Sequence, residues 1–264
     1  MTTGPDPDLI QDGRQTPAVP LEGPKPEAPS GYLPRVFHAT EEENRRAILR
    51  ALPRKRGGNV LDIGTHTGEF TTRVAERVGA KEVFGVELIE KHAAEARARG
   101  IKVEVSDIET GLPFPDRKFD VVHANQVIEH VRRTDTFLRE TRRVLAPDGL
   151  ACISTNNLAS WHNVFSLTLG LQPMPMHVSD ETILGNPLNP LDGQPHADRG
   201  RSHLRLFTAR ALTELCAHHG LERVSLQTAG YYPLPPYVGR LAGRLDPTHA
   251  AFVIGLFRPR TTRA

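Results

Sequence analysis

The alternation of short apolar runs with amphipathic stretches predicts an α/β protein. Apolar runs of strand length occur at Val60–Gly64, Val83–Leu88, Val103–Asp107, Val121–Ala124 and Leu150–Thr155. Stretches with helical periodicity lie between them, at Glu69–Val78, Glu90–Arg99 and Thr134–Leu145. Because short buried strands that alternate with helices form parallel sheets, this order predicts a doubly wound, mostly parallel sheet.

A long irregular segment follows the fifth predicted strand. Residues 156–206 carry several prolines and no sustained periodicity. Because a segment of this length inside a compact domain is usually functional, it predicts a lid or a substrate-binding insertion. Beyond it, the pattern predicts a helix from Thr208 to about Gly220 and strands at Arg223–Thr228 and Ala251–Phe257.

The beginning of the chain differs from the rest in composition. Residues 1–34 contain eight prolines and few apolar clusters, so they bury too little surface to offset the entropy of ordering. We expect residues 1–34 to be a disordered leader and residues 35–264 to form one domain, with a first helix around Glu41–Leu52. A leader that becomes a lid when ligand binds is the alternative.

Composition and charge narrow the class of protein. The 264 residues are 38% hydrophobic and 24% charged, and the formal net charge is +2. This balance is typical of a soluble protein and lacks the basic footprint of a dedicated nucleic-acid binder. Two cysteines without a CxxC pair argue against a disulfide framework, and no apolar run reaches membrane-spanning length. The sequence therefore predicts a cytoplasmic protein with no membrane partner and argues against a nucleic-acid partner.

The segment Asn59–Thr71 predicts a ligand-binding turn. An apolar strand ends in a glycine-punctuated turn before a helix, an arrangement that presents backbone N–H groups to a ligand. The dinucleotide-binding pattern G-x-G-x-x-G would start at Gly64, but His66 and Glu69 occupy its later glycine positions. The Glu69 carboxylate would also repel a pyrophosphate at the helix N-terminus. A nicotinamide or flavin enzyme is therefore disfavoured.

The same turn resembles the first motif of class I S-adenosylmethionine (SAM) methyltransferases, an apolar pair followed by D-x-G-x-G-x-G. Asp62, Gly64 and Gly68 match this motif, and His66 replaces its middle glycine, so His66 must either tolerate the turn or face the ligand. The resemblance implies that these four residues bind SAM as the cofactor. It also implies a Rossmann-like, seven-stranded sheet with an antiparallel last strand and an insertion after the fifth strand.

Three residues at the ends of the second and third predicted strands are further candidates for the cofactor site. Ligands of open α/β sheets lie beyond the carboxyl ends of the strands, and a carboxylate at Glu87 can accept hydrogen bonds from both ribose hydroxyls. The family resemblance implies that Asp107 accepts from the adenine amino group and that Ile108 packs on the ring. The alternative is that Glu87 and Asp107 are solvated loop residues.

The segment Phe119–Val131 resembles the fourth-strand motif of the methyltransferase group that includes ubiquinone- and menaquinone-pathway enzymes. The resemblance covers about residues 36–157. It implies that Asn125 and Gln126 line the cofactor near its methionine part, and that Glu129 and His130 border the methyl group.

His130 is the first candidate for a general base, and His162 is the second. Imidazole has an unperturbed pKa near 6.5, so it can take a proton from a hydroxyl or amine at neutral pH. Alternatively, His130 donates a hydrogen bond to the backbone and only shapes its loop. Because the sulfonium of SAM is already activated, alignment can supply much of the acceleration, and a phenolate or amine needs no strong base.

The acceptor site is predicted from aromatic residues late in the chain. Trp161 lies near the start of the insertion, and Tyr231 and Tyr232 follow the sixth predicted strand, where aromatic and polar groups together suit an acceptor pocket. Trp161 could instead cover the sheet edge, and the prolines after Tyr232 could only fix a turn. The insertion also holds several histidines, but none has the spacing of a zinc site, so we expect no metal.

The sequence thus predicts a SAM-dependent methyltransferase that modifies an oxygen or nitrogen of a small molecule, such as a secondary metabolite, a quinone-like compound or a sugar. Two alternatives stay open. One is a protein or nucleic-acid methyltransferase whose leader docks the partner. The other is a non-catalytic SAM-fold binding module in which His66 has spoiled the turn. The oligomeric state is also open, and a homodimer is one option.

Overall fold

A seven-stranded sheet organises the protein. The computed structural model describes residues 31–54, 56–195 and 202–260. The strands are β1 (Asn59–Ile63), β2 (Glu82–Glu87), β3 (Lys102–Val105), β4 (Phe119–Asn125), β5 (Leu145–Asn156), β6 (Leu221–Ala229) and β7 (Phe252–Pro259). Their order across the sheet is β3-β2-β1-β4-β5-β7-β6, and β7 runs antiparallel to both of its neighbours. This topology confirms the predicted doubly wound, mostly parallel sheet with an antiparallel last strand.

Helices cover both faces of this sheet. They are α1 (Tyr32–Ala51), α2 (Glu69–Val78), α3 (Glu90–Ala98), α4 (Thr134–Val144), α5 (Trp161–Thr168), α6 (Ala209–His218) and α7 (Pro236–Leu245), with a short 3-10 helix at Ile128–His130. No helix in the described part of the chain is long and apolar enough to cross a membrane.

The central strands are buried on both sides, which explains their continuous apolar runs. Val60 and Val121 belong to the cluster beneath α1 and α2, whereas Leu61 and Val122 belong to the cluster beneath α4 and α6. Successive side chains of a strand point to opposite faces, so a strand between two helical layers needs apolar residues at every position.

The first helix begins earlier than the sequence pattern predicts. It starts at Tyr32 rather than near Glu41, so the last residues of the predicted leader belong to its first turn. Pro34 fits there because proline is tolerated in the first turn of a helix. The predicted disorder of residues 1–30 concerns residues that lie outside the described ones.

Several local predictions need correction. The strand β5 begins at Leu145 rather than at the predicted Leu150, and its pairing with β4 shifts register between Phe119 and Val121. The proline-rich stretch after Tyr232 continues into α7, with Pro236 in its first turn, a position that suits proline. The insertion contains one helix, α5, and its other described residues are mostly irregular.

Candidate active site

The turn between β1 and α2 depends on left-handed backbone conformations. Gly64 has a φ of 76° and Gly68 a φ of 81°, conformations that only glycine adopts without cost. A Cβ atom on Gly64 would lie 2.7 Å from Cγ2 of Val127, and one on Gly68 would lie 2.6 Å from Cδ1 of Ile101. The two glycines therefore permit both the turn and the close packing of its neighbours.

His66 occupies the middle of the turn in the same conformation. Its φ is 51°, which costs a non-glycine residue about 1–2 kcal/mol. Its backbone N–H donates to Oε2 of Glu87 at 2.8 Å, and the centroid of its ring lies 3.9 Å from the ring centroid of His92. The turn geometry thus persists with histidine at this position.

Glu87 closes β2 in a fixed position beneath this turn. Its side chain is buried, and its carboxylate accepts backbone N–H groups from His66 at 2.8 Å and from Leu88 and Ile89 at 3.0 Å each. Because these bonds come from two different loops, the carboxylate ties the β1–α2 turn to the end of β2.

A cavity of about 430 Å³ lies at the carboxyl ends of β1, β2 and β4. The strand order reverses between β1 and β4, which is where ligands of open α/β sheets bind. Six of the eight predicted cofactor residues line this cavity: Gly64, His66, Glu87, Asp107, Ile108 and Asn125. The fold therefore brings together side chains from four separate stretches of the sequence.

The other two predicted cofactor residues lie behind the turn. Gly68 packs against the helix α3 and Ile101 rather than lining the cavity. Asp62 is buried, accepts a hydrogen bond from the Thr71 hydroxyl, and has its Oδ1 2.7 Å from Nδ1 of His123. It lines an adjoining cavity of about 200 Å³, which shares Gly64, His66 and Asn125 with the first cavity. Asp62 thus joins β1, β4 and α2 and supports the turn from below.

A second cavity, of about 470 Å³, lies beside the first. Its aromatic and apolar wall includes Phe37, Met174, Pro175, Ile183, Tyr232 and Phe252, and its polar wall includes His130, His162, His177 and His203. Gln126 and His130 line both cavities. The two cavities therefore meet at the end of β4.

Trp161 and Tyr231, which the sequence predicts for the acceptor wall, do not line this second cavity. The Trp161 indole donates to Oδ2 of Asp246 at 2.7 Å, and the Tyr231 hydroxyl donates to the backbone carbonyl of the same residue. These bonds hold both side chains toward the loop that follows α7. Tyr232 does line the cavity, because adjacent residues point in different directions.

Gln126 has a strained backbone at the junction of the two cavities. Its φ is 56°, and its Oε1 accepts a hydrogen bond from Nδ2 of Asn156 at 2.9 Å. Its buried Nε2 donates to no described residue. Strain of this kind concentrates at functional sites, which adds a structural reason to the family resemblance that already implies Gln126 at the cofactor site. Phe37 also joins the candidate site, and only the early start of α1 brings it there.

Burial shifts the pKa of three side chains near the second cavity. Burial raises the pKa of Glu129 to about 7, against hydrogen bonds from Thr155 and Asn156 that lower it. Burial lowers the pKa of His162 to about 4 and raises the pKa of Tyr232 to about 12. At neutral pH His162 is therefore uncharged and a weak base, and Tyr232 keeps its proton.

The low pKa of His162 makes a prediction about stability. Between about pH 6.5 and pH 4 the unfolded chain binds a proton at His162 that the folded chain does not. The contribution of His162 to the free energy of unfolding should therefore fall by roughly 2–3 kcal/mol as pH decreases through this window, whereas the raised pKa of Glu129 acts in the opposite direction. Urea denaturation at pH 7 and pH 4.5 measures this change.

The variant His162→Gln isolates the contribution of this one side chain. It removes the titrating group, so its loss of stability on acidification should be smaller than that of the wild type by the same amount. Equal losses in the two proteins would show that His162 does not carry the effect.

The fold and the joined cavities define a class I SAM-dependent methyltransferase domain. The chain matches the family described as “Methyltransferase domain” over residues 36–226 and belongs to that family. This membership confirms the predicted class of protein and, with it, SAM as the cofactor of the class.

A curated relative of similar sequence agrees with this membership. Demethylmenaquinone methyltransferase of Listeria monocytogenes is 31% identical over 132 residues, which are 46% of this chain and 56% of that protein. The chain therefore spans just over half the length of this curated relative.

Solved methyltransferase structures share the fold. A SAM-dependent methyltransferase from Mesorhizobium loti superposes with a TM-score of 0.54 at 19% identity, over 81% of this chain and 96% of the other. The 1,6-didemethyltoxoflavin-N1-methyltransferase of Burkholderia thailandensis, crystallised with 1,6-didemethyltoxoflavin and S-adenosylhomocysteine, superposes with a TM-score of 0.52 at 19% identity. That match covers 87% of this chain and 84% of the other. At these identities the similarity concerns the fold alone.

Proposed function

We propose that this chain transfers the methyl group of SAM to an oxygen or nitrogen atom of a small molecule. The observation that carries the proposal is the wall shared by the two cavities. Gln126 and His130 line both the cavity at the β1–β4 switch point and the cavity beside it. A methyl group held in the first cavity at this wall would face an acceptor held in the second.

The first cavity has groups that suit SAM. The fixed carboxylate of Glu87 can accept from ribose hydroxyls, and Asp107 and Ile108 lie at the end of β3 for the adenine. Asn125 is held by Asn44, whose Nδ2 donates to its Oδ1 at 2.9 Å, and by the family resemblance it would face the methionine part. When bound, SAM supplies an electrophilic methyl group on a cationic sulfur.

The second cavity has the size and lining of a small-molecule site. Its volume of about 470 Å³ falls within the range of about 300–1,000 Å³ typical of ligand pockets, which are mostly apolar with a few polar groups. Phe37, Met174 and Phe252 supply flat and flexible apolar surface. An aromatic or partly apolar acceptor with one polar reacting group fits this lining best.

His130 is the proposed proton acceptor in the reaction. It borders both cavities, whereas His162 borders only the second and has a pKa lowered by burial to about 4. A base with so low a pKa removes protons poorly at neutral pH. His130 therefore takes the proton that the acceptor oxygen or nitrogen loses as its bond to the methyl carbon forms.

Calorimetric titration with SAM and with S-adenosylhomocysteine tests the cofactor half of the proposal. We expect dissociation constants in the micromolar range for both ligands and no measurable binding of NAD, because Glu69 lies where its pyrophosphate would approach. Absence of SAM binding to folded protein would contradict the proposal. Binding should then be followed by turnover assays that detect S-adenosylhomocysteine, with panels of phenols, quinols, amines and sugars as acceptors.

The hydroxyl of Tyr232 provides a test of the acceptor half. This hydroxyl is buried and makes no hydrogen bond within the described residues, and its high pKa keeps it a donor. A hydrogen bond to the acceptor is worth about 0.5–1.5 kcal/mol. The variant Tyr232→Phe should therefore raise the acceptor KM about 3- to 10-fold and leave SAM affinity unchanged.

The effect of Tyr232→Phe on the free energy of unfolding is a second test. Removing an unpaired buried hydroxyl should leave the free energy of unfolding unchanged or raise it by up to about 1 kcal/mol. Tyr237→Phe, at an exposed position in α7, is the matched control and should change neither quantity. A destabilised Tyr232→Phe protein with a normal acceptor KM would assign the hydroxyl to folding instead.

A further inference from the structure

We propose that Glu129, His130 and His203 bind one divalent transition-metal cation, for which zinc is the probe, beside the second cavity, whose lining includes His130 and His203. One ligand atom from each of these three side chains lies within 4.8 Å of the other two. Glu129 and His130 belong to the 3-10 helix after β4, whereas His203 comes from the far end of the insertion. The fold brings the three together although their sequence spacing predicts no metal site.

The donor set fits a borderline metal ion better than magnesium or calcium. Two imidazoles and one carboxylate are the ligands of many zinc and non-haem iron sites, and three protein ligands leave positions open for an exogenous group. Ligand atoms about 2.1 Å from a metal lie at most about 4.2 Å apart. Closing the observed separation therefore requires only small side-chain movements.

The structure fixes which nitrogen of His203 can bind a metal. Its Nδ1 lies 2.5 Å from the backbone carbonyl of Pro175. A carbonyl only accepts hydrogen bonds, so Nδ1 carries the proton and the lone pair of the neutral ring resides on Nε2. Metal-binding histidines commonly donate their second ring N–H to a backbone carbonyl, which fixes the tautomer and the ring orientation.

Glu129 is oriented by its own set of partners. Its Oε2 accepts from the Thr155 hydroxyl at 2.8 Å, and its Oε1 accepts from Nδ2 of Asn156 at 3.3 Å. The side chain is fully buried, and no ion pair to it occurs within the described residues. Buried ionised carboxylates in proteins are paired or coordinate metals, and a cation bound beside His130 would stabilise the ionised form of Glu129.

Backbone hydrogen bonds explain why His203 reaches Glu129. The N–H groups of Leu204 and Arg205 donate to the carbonyl of Glu129 at 2.8 and 3.2 Å. The Arg205 guanidinium also donates to the carbonyl of Val131 at 2.8 Å. These bonds fix the end of the insertion to the 3-10 helix. They thereby hold the side chain of His203 against His130, with ring centroids 4.6 Å apart.

The metal would change how the acceptor loses its proton. A cation at this position would lower the pKa of a hydroxyl that binds to it, so the hydroxyl would release its proton to water before methyl transfer, without His130 as the base. This consequence rests on the proposed function, whereas the metal site itself does not. A methyltransferase without a metal would still use His130 directly, so the two proposals can fail separately.

Metal binding by the full chain tests the site without any acceptor. Protein stripped with a chelator and dialysed against zinc should retain about one zinc ion per chain by mass spectrometry of the metal. Cobalt(II) in place of zinc should give visible absorption bands that report its coordination. His203→Gln should weaken zinc binding at least about 100-fold, since loss of outer partners alone costs about 10–100-fold.

Two further variants keep this test decisive. Glu129→Gln preserves shape in the buried position and should also weaken zinc binding at least about 100-fold, whereas His162→Gln, in the same cavity but outside the cluster, should bind zinc within about 3-fold of the wild type. Circular dichroism and urea denaturation of each variant check folding without relying on SAM binding. Substoichiometric zinc in the wild type, or zinc binding as tight as that of the wild type in folded His203→Gln and Glu129→Gln, overturns the metal site and leaves the proposed methyl transfer untouched.

Discussion

Glu87→Ala is expected to weaken SAM binding about 100-fold or more. The substitution removes the carboxylate that accepts from the ribose, and hydrogen bonds to a charged group contribute about 1.5–3 kcal/mol each. It also leaves the N–H groups of His66, Leu88 and Ile89 without the acceptor that now ties the two loops together. Calorimetric titration of the folded variant measures the loss.

Two companion variants separate ligand binding from loop order. Glu87→Gln keeps one acceptor oxygen and should weaken SAM binding by about 10-fold. Glu82→Ala, at the exposed start of the same strand β2, should bind SAM within about 2-fold of the wild type, because its pairing with Lys102 is exposed and contributes little. Wild-type affinity in a folded Glu87→Ala protein would remove Glu87 from the proposed cofactor site.

The sheet and the first cavity were predictable because their signals are local. Buried parallel strands need apolar residues at successive positions, so runs such as Val60–Ile63 mark them directly. The end of each strand then places the next polar residue at one edge of the sheet. Glu87 and Asp107 line a common cavity for this reason, although their contacts with SAM stay predictions.

The second cavity was harder to predict because it is assembled from distant segments. Periodicity says nothing about which side of a loop faces a ligand, and Trp161 and Tyr231 look like pocket residues until Asp246 is seen to bind them both. In the sequence, Phe37 lies just after the predicted disordered leader, which ends at Pro34. Its place in the wall depends on a helix that starts with Tyr32.

The proposed metal site of Glu129, His130 and His203 beside that cavity is a second example of residues brought together from distant segments. Spacing rules detect ligands that share one helix or one short loop. Glu129 and His203 share neither, and only the backbone hydrogen bonding between Arg205 and the 3-10 helix brings them together. Such a cluster can be found from coordinates but not from intervals along the chain.

His130→Gln is expected to lower kcat about 100-fold or more for acceptors whose reacting hydroxyl is protonated at the assay pH. General-base assistance contributes about 10²–10⁴-fold, and glutamine cannot take the proton. Affinity for SAM should change less than about 3-fold, because the predicted contacts to ribose and adenine lie on β2 and after β3. His219→Gln is the matched control and should keep wild-type kcat, because the largely buried ring of His219 pairs with the exposed Asp135 outside both cavities.

The acidity of the acceptor distinguishes a chemical role of His130 from a structural one. An acceptor with a pKa below the assay pH is already ionised and needs no proton removal, so the defect of His130→Gln should shrink toward unity across a series of increasingly acidic phenols. The same trend is expected whether the imidazole takes the proton itself or holds the metal that lowers the acceptor pKa. A defect of constant size across the series would mean that His130 only shapes the loop between β4 and α4.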